Sequence, residues 1–405
     1  MIYVPSRMGQ FNRRALLRRL QRLGVASRAE LAKSLGMSQP TAGKIVDELL
    51  AIRVLEEIEP LETAGAESVA RGRPGRQLRL NQSQSRLLAV QLGLLETTVA
   101  GLSLGAADAD VWQVSFLLGR NEPNPAKAWE KQLRRAAAKI GGSNLLGVLL
   151  SVPGLVDEAQ NRILFSPNIH WTEKADLAAI VRSVWEVPVL LVQEERALAL
   201  GHHAANPDCD NFLLVDFGEG VGGAVILDGK PLANSLPISG EIGHTPVIGN
   251  QRRCGCGATG CMETLVSLRG LLESFSQDQR GQKTSWTELQ EYIFKHGLPL
   301  WLAKSLEAAA VAIAGALNVI GLRRVVITGT LTELPPVVMA HLAQAVQNGS
   351  MWAKFGTVEC VPAPRRRTAG LVAIGIDRLV VPDAKENEFS PKISRRQQVA
   401  LKPKS

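Results

Sequence analysis

The 405-residue chain has no run approaching the roughly 18 consecutive apolar residues that a membrane span needs. Its start, Met1 to Arg22, is basic but lacks the continuous apolar stretch of a signal peptide. Membrane and secreted classes are therefore not expected, and the cytoplasm is. Cysteine is scarce: the five are Cys209, Cys254, Cys256, Cys261 and Cys360. Three of them fall within eight residues, which argues against a disulfide framework and for a metal site in a reducing compartment. No low-complexity segment and no short-period repeat is present, which sets solenoids aside. What is there is the composition of a soluble globular chain, 45% hydrophobic and 21% charged, long enough for two or three domains.

The net charge of +8 is unevenly placed. Residues 1–80 hold 14 Lys and Arg against 8 Asp and Glu, and residues 381–405 hold 6 against 3, so the body between them is close to neutral. Contact with a polyanion is therefore expected at the front of the chain, while the basic tail reads as a solvated end.

That front reads as three helices and a hairpin. Leu16, Leu17, Leu20 and Leu23 recur at helical spacing, and Gly24 closes the helix. Ser27 with Glu30 forms a capping box that opens a second helix through Ser34. Gly36 makes the turn, and a third helix starts from Ser38, with Pro40 in its first turn and Ile45, Val46, Leu49 and Leu50 as its buried face. Helix, Gly-containing turn, helix is the helix-turn-helix pattern. In it the second helix of the pair enters the major groove, which assigns DNA contacts to Ser38, Gln39, Thr41 and Lys44. Residues 54–58 and 77–80 read as two strands around a loop, making a wing. The loop ends in Arg71-Gly72-Arg73-Pro74-Gly75-Arg76, whose Arg-Gly-Arg-Pro core resembles the AT-hook; Arg71, Arg73 and Arg76 are then minor-groove candidates.

Beyond Leu80 strands and helices alternate. Strands are expected at 87–92, 97–104, 111–118 and 145–152 with a helix at 124–140. The order repeats with strands at 211–217, 222–227 and 231–232, a long helix at 302–320 and a strand at 325–328. Two copies of one order predict two similar lobes with a cleft between them. The expected domains are residues 1–80 as the winged helix, 81–195 as the first lobe, 196–380 as the second with a metal loop, and 381–405 as the tail.

The densest chemical signal is Gly240-Glu241-Ile242-Gly243-His244 followed by Cys254-Gly255-Cys256-Gly257-Ala258-Thr259-Gly260-Cys261-Met262-Glu263. His244, Cys254, Cys256 and Cys261 are the Cys₃His set of a closed tetrahedral zinc site, so a structural rather than catalytic zinc is expected. If one ring nitrogen of His244 binds zinc, the other is left to face a ligand.

The Glu-x-Gly-His and Cys-x-Cys-Gly-x-x-Gly-Cys-x-Glu pair, with Val152-Pro153-Gly154-Leu155-Val156-Asp157 and Ser166-Pro167-Asn168, resembles the ROK family (repressor, open reading frame, kinase) from about Leu80 to Val380. The front 80 residues resemble the winged helix of its repressor branch. The resemblance implies an α/β fold in which an N-terminal winged helix-turn-helix precedes a two-lobed actin-like, ribonuclease H-like sugar-kinase domain. It also implies a homodimer or homotetramer, and sugar contacts from Gly154, Asn168, Glu241, His244 and Glu263.

The kinase side departs from the family pattern. The Asp-x-Gly-x-Thr phosphate turn corresponds to Gln91-Leu92-Gly93-Leu94-Leu95, and a neutral Gln cannot replace a carboxylate near a nucleotide's magnesium. The catalytic Asn-Asp pair aligns with Gln193-Glu194, where Glu194 keeps a carboxylate toward the sugar but one methylene longer. Glu219 stands where the kinases have Thr in the second phosphate loop, and the Gly-Gly of the adenosine region is Gly329-Thr330. The expectation is a non-enzymatic, sugar-responsive transcriptional regulator, a repressor, that binds double-stranded operator DNA and a small sugar or amino-sugar effector, free or phosphorylated. The alternatives are a hexose or amino-sugar kinase with an accessory DNA-binding domain, and a regulator answering to a protein partner.

Overall fold

The computed structural model describes residues 7–59, 76–82, 87–105, 110–119, 122–140, 145–232 and 239–381. Arg71, Arg73 and the basic tail lie outside the described residues.

The front module begins with α1 (Arg7–Leu23), whose Leu16, Leu17 and Leu20 are fully buried. After β1 (Val25–Ser27), α2 (Arg28–Ser34) starts from the expected capping box. The Glu30 N–H donates to Ser27 Oγ at 3.2 Å and the Ser27 N–H donates to the Glu30 carboxylate at 2.7 Å, a cap worth about 1 kcal/mol. Gly36 turns the chain at φ +63°, and Ser38 caps α3 (Gln39–Ala51), accepting from the Thr41 N–H. Ala42, Ile45, Val46 and Leu49 are buried; Leu50, expected among them, is only half-buried because it lies a further 100° round the helix. The hairpin of β2 (Leu55–Ile58) and β3 (Gln77–Leu80) follows as expected. β1 adds a third strand, pairing Val25 with Arg79, that three residues are too few to announce by periodicity.

The first lobe contains β4 (Leu87–Leu92), β5 (Glu96–Leu102), β6 (Asp110–Leu117), α4 (Pro125–Ile140), β7 (Gly147–Val152), β8 (Leu155–Asp157), β9 (Arg162–Phe165), α5 (Leu177–Trp185) and β10 (Val189–Gln193). α6 (Glu194–Ala205) leads to the second lobe: β11 (Phe212–Phe217), β12 (Val221–Leu227), β13 (Lys230–Pro231), α7 (Glu263–Val266), α8 (Leu268–Asp278), α9 (Trp286–His296), α10 (Leu300–Ile320), β14 (Arg324–Gly329), α11 (Pro336–Gly349) and β15 (Glu359–Pro362). The sheets run β10-β7-β4-β5-β6 and β13-β12-β11-β14-β15. Each therefore has its own first strand at the centre, two antiparallel neighbours on one side and two parallel strands on the other. The expected internal duplication is real, with β10 and β15 as its fifth strands.

The last helix, α12 (Arg367–Gly375), departs from the sequence-based division. It and the following turn at Ile376–Val380 pack on α6, β4 and β7, so Leu371, Val372 and Ile376 share a core with Leu87, Ala89 and Leu149. Residues 367–381 thus return to the first lobe rather than staying with the second, which the boundary at 380 did not anticipate. α6 and α12 cross closely because Gly201 and Gly370 face each other's helix: a Cβ on Gly201 would collide with the Arg366 carbonyl, and one on Gly370 with the Ala197 carbonyl. The front module rests on the same element. Arg14 Nη2 donates to the carbonyls of Asp377 and Val381, each at 2.8 Å, and Arg18 pairs with the Asp377 carboxylate.

Contrary to the reading of hydrophobic runs, α10 is long and apolar enough to cross a bilayer by length and composition. Its Leu302, Leu306, Ala309, Ile313 and Leu317 are instead buried in the second lobe, with Lys304 and Glu307 on the exposed side. It is a core helix.

Candidate functional site

A cleft of about 530 Å³ lies between the lobes. Its walls come from element ends: Gly154 after β7, Asn168 after β9, the start of α6, the β11–β12 turn, the short turn at Ile242–His244 and the first residue of α7. The structure thereby brings together all six groups singled out for sugar contact, Gly154, Asn168, Glu194, Glu241, His244 and Glu263. Gly154 has φ +96°, and a Cβ there would sit 2.5 Å from the Phe165 carbonyl oxygen, so only glycine fits between β8 and β9.

The thiol cluster lies behind one wall, to which it contributes His244. The ligand atoms of His244, Cys254, Cys256 and Cys261 all lie within 4.8 Å of one another. Cys254 Sγ is 3.6 Å from His244 Nδ1, and Cys256 Sγ is 3.6 Å from Cys261 Sγ, too far for a disulfide. A tetrahedral zinc with bonds of about 2.0–2.3 Å has edges of about 3.6–3.8 Å, so the residues fit a bound metal. The loop has little apolar core to hold it otherwise, and Ile248 is fully exposed. His244 turns its other nitrogen, Nε2, to Glu241 Oε2 at 3.5 Å. Glu263, two residues past Cys261, accepts the Val221 N–H at 2.9 Å and lies 3.7 Å from Cys254 Sγ. The cluster therefore braces three cleft groups at once.

The opposite wall holds residues that the sequence reading missed. Arg365 donates from Nε and Nη2 to both oxygens of Asp216 at 2.7 Å each, and Thr328 adds a third bond to that carboxylate. The guanidinium fills the space over Gly218, where a Cβ would collide with it, and lies 2.9 Å from where a Cβ on Gly329 would stand. Arg367 donates to Gln91 Oε1 at 2.7 Å and pairs with Glu194. Burial lowers Arg367 to about 10, and its Nε has no partner among the described residues. The detectable signal was the run Arg365-Arg366-Arg367 in a near-neutral body, placed at a helix N-terminus where the macrodipole disfavours cations.

Glu195 was also missed. Its Oε2 is sealed from solvent with no hydrogen-bond partner among the described residues. Burial, with Glu241 and Asp216 nearby, raises its acid to about 8, while Glu241 is raised to about 7 by burial and then by Glu263. Glu219 stays exposed at the rim of its turn.

On the front module Ser38, Gln39, Thr41 and Lys44 are exposed on the first turns of α3, with Ser38 and Thr41 hydroxyls 2.8 Å apart. Arg76 pairs with Glu57 across the hairpin at 2.5 Å. Arg28 bridges Glu57 and Asp47.

The sequence pattern described as "ROK family" matches residues 118–376. The chain is 24% identical over 380 residues to the xylose repressor of Bacillus subtilis, covering 91% of this chain and 94% of that one. It is 24% identical over 378 residues to the DNA-binding transcriptional dual regulator NagC of Escherichia coli, covering 85% and 86%. Among solved structures, a ROK family transcriptional regulator homologous to the E. coli MLC protein superposes with a TM-score of 0.72 at 21% identity, over 93% of this chain and 98% of that one. A ROK family glucokinase from Streptomyces griseus gives 0.58 at 19%, over 71% and 97%.

Proposed function

The chain belongs to the ROK family, and from that membership we propose that it is a sugar-responsive transcriptional repressor whose lobes keep the sugar half of a kinase site and have lost the nucleotide half. The observation that carries this is the arginine pair. A kinase of this architecture needs a carboxylate free to take the sugar's proton, and Glu194 is instead paired with Arg367, which also donates to Gln91. Arg365 lies over Gly218 and beside Gly329, two glycines of the segments that resemble the family's second phosphate loop and adenosine region. The names of the relatives, a xylose repressor and NagC, support regulation over catalysis.

The sugar is held by Asn168, Glu241, His244 and Glu263 against Gly154, with a structural zinc on His244, Cys254, Cys256 and Cys261 fixing the geometry. A metal there supplies charge and rigidity to the loop, with all four positions taken by protein. Ligand closes the lobes, and α12 carries the change to the front module: Arg367 lies at its cleft end, and the residues gripping Arg14 follow its far end about 20 Å away. A dimer or tetramer spaces two α3 helices over a palindrome, and closure alters that spacing.

Selection of a randomised duplex pool at about 0.15 M salt tests the reading, because non-specific phosphate binding is weakened there. A palindrome is expected to enrich. Gln39→Ala should cost about 1–3 kcal/mol at one base position, and Lys44→Ala should weaken all sequences and reduce the salt slope by about 1. Sugar-dependent ADP release that disappears in Glu194→Gln would overturn the reading in favour of a kinase. Failure of every sugar to bind would favour a protein effector.

A further inference from the structure

Resting on the reading of the cleft as an effector site, we propose that Glu195 contacts the effector and selects a sugar carrying a free primary ammonium group over its neutral counterpart. Consecutive residues at the start of α6 have different partners. Glu194 meets Arg367, whereas Glu195 lies against β12, its Oε1 2.5 Å from where a Cβ on Gly222 would stand.

Glu96 and Glu219 on the cleft rim are exposed to water, and the other cleft carboxylates each have a donor or cation of their own. Asp216 has Arg365 in a two-point pair, Glu194 has Arg367, Glu263 has the Val221 N–H and Glu241 faces His244. Glu195 has its own backbone N–H; its side chain borders the cleft, and Oε2, sealed from bulk solvent, has no donor among the described residues. The one cation near it, Arg365, is already committed to Asp216.

A buried carboxyl lacking a donor is costly, and a ligand that supplies one recovers that cost. A hydroxyl supplies a neutral hydrogen bond. An ammonium supplies a charge-assisted one, about twice as strong, and offsets the surplus of carboxyls between Glu241 and Asp216. A hexosamine with an unacetylated amine has both the hydroxyls for the sugar side and the ammonium for Glu195. Because Glu195 holds its proton up to about pH 8, binding at pH 7 proceeds with loss of that proton to the buffer, leaving a carboxylate against the ammonium.

The test is titration calorimetry on the zinc-supplemented full chain at pH 7, in two buffers of different ionisation enthalpy. Glucosamine, galactosamine and mannosamine are compared with glucose, galactose and mannose. One amino sugar should bind about tenfold or more tighter than its neutral counterpart and release close to one proton per ligand. Glu195→Gln should bring the ratio near one and remove that proton, and Glu195→Asp should retain part of the preference. Equal binding of neutral sugars by the wild type, or an unchanged preference and proton count in Glu195→Gln, would overturn the proposal and leave the effector site standing. Binding of neither kind would overturn both.

Discussion

Replacing Arg367 by Met removes the cation that holds Glu194 in the cleft. The two side chains are 24% and 18% exposed, so the pair is mostly but not wholly desolvated. Breaking a fully buried pair from one side costs about 3–5 kcal/mol, and solvent screening at these exposures reduces that to about 2–3 kcal/mol. Part of the loss is offset because Arg367 Nε is buried without a partner and its removal relieves that cost. Arg367→Met should therefore lose about 2 kcal/mol. Glu194→Gln should lose less, about 1 kcal/mol, since an amide still accepts from Arg367 and Gln91 still binds the guanidinium. The double variant removes both charges and should be close to the wild type, an interaction energy of about 3 kcal/mol. Urea unfolding of the four proteins at one pH measures all of this. Single losses under about 0.5 kcal/mol that simply add would refute the view that Arg367 neutralises Glu194.

Three further outcomes are expected. The Glu195 acid is raised from its ordinary 4.5 to about 8, so the folded state holds the extra proton between these values and stability falls as pH rises through that window, by up to about 1.4 kcal/mol per unit; Glu195→Gln should therefore gain on the wild type in melts at pH 8 but not at pH 5, and parallel curves would be decisive against it. Cys256→Ser should lose most bound zinc by elemental analysis and, for a site filled at about a thousand times its Kd, about 4 kcal/mol or roughly 10 °C of melting temperature, whereas full zinc and an unchanged melt would remove the metal from the argument. Arg14→Ala cuts the two carbonyl bonds to the end of the α12 element, so the ratio of operator affinities with and without effector should fall at least threefold at constant effector affinity, and an intact ratio in fluorescence anisotropy would exclude that route.

Much of the fold and of one half of the cleft was legible because the signals are local. Ser27 and Ser38 announce helix starts through contacts three residues away, and continuous apolar runs located β4 and β7 to within two residues. The four residues that could hold a metal sit in one 18-residue stretch, His244 to Cys261, so spacing alone grouped them. Leu50 shows the limit of pattern reading: its hydrophobicity was right and its angle on the helix was not.

The chain by itself thus determined its helix caps, its duplicated strand order, its thiol cluster and the family motifs of the sugar side. The tertiary structure alone decided that α12 returns to the first lobe, that Arg367 meets a carboxylate 173 positions earlier, and that Glu195 is left without a side-chain donor while Glu194 is not. Periodicity reports which face of an element is buried but not which distant charge will be buried beside it. That pairing depends on how the sheets and the α6–α12 crossing close the cleft, which brings Arg365 to Asp216 and Arg367 to Glu194.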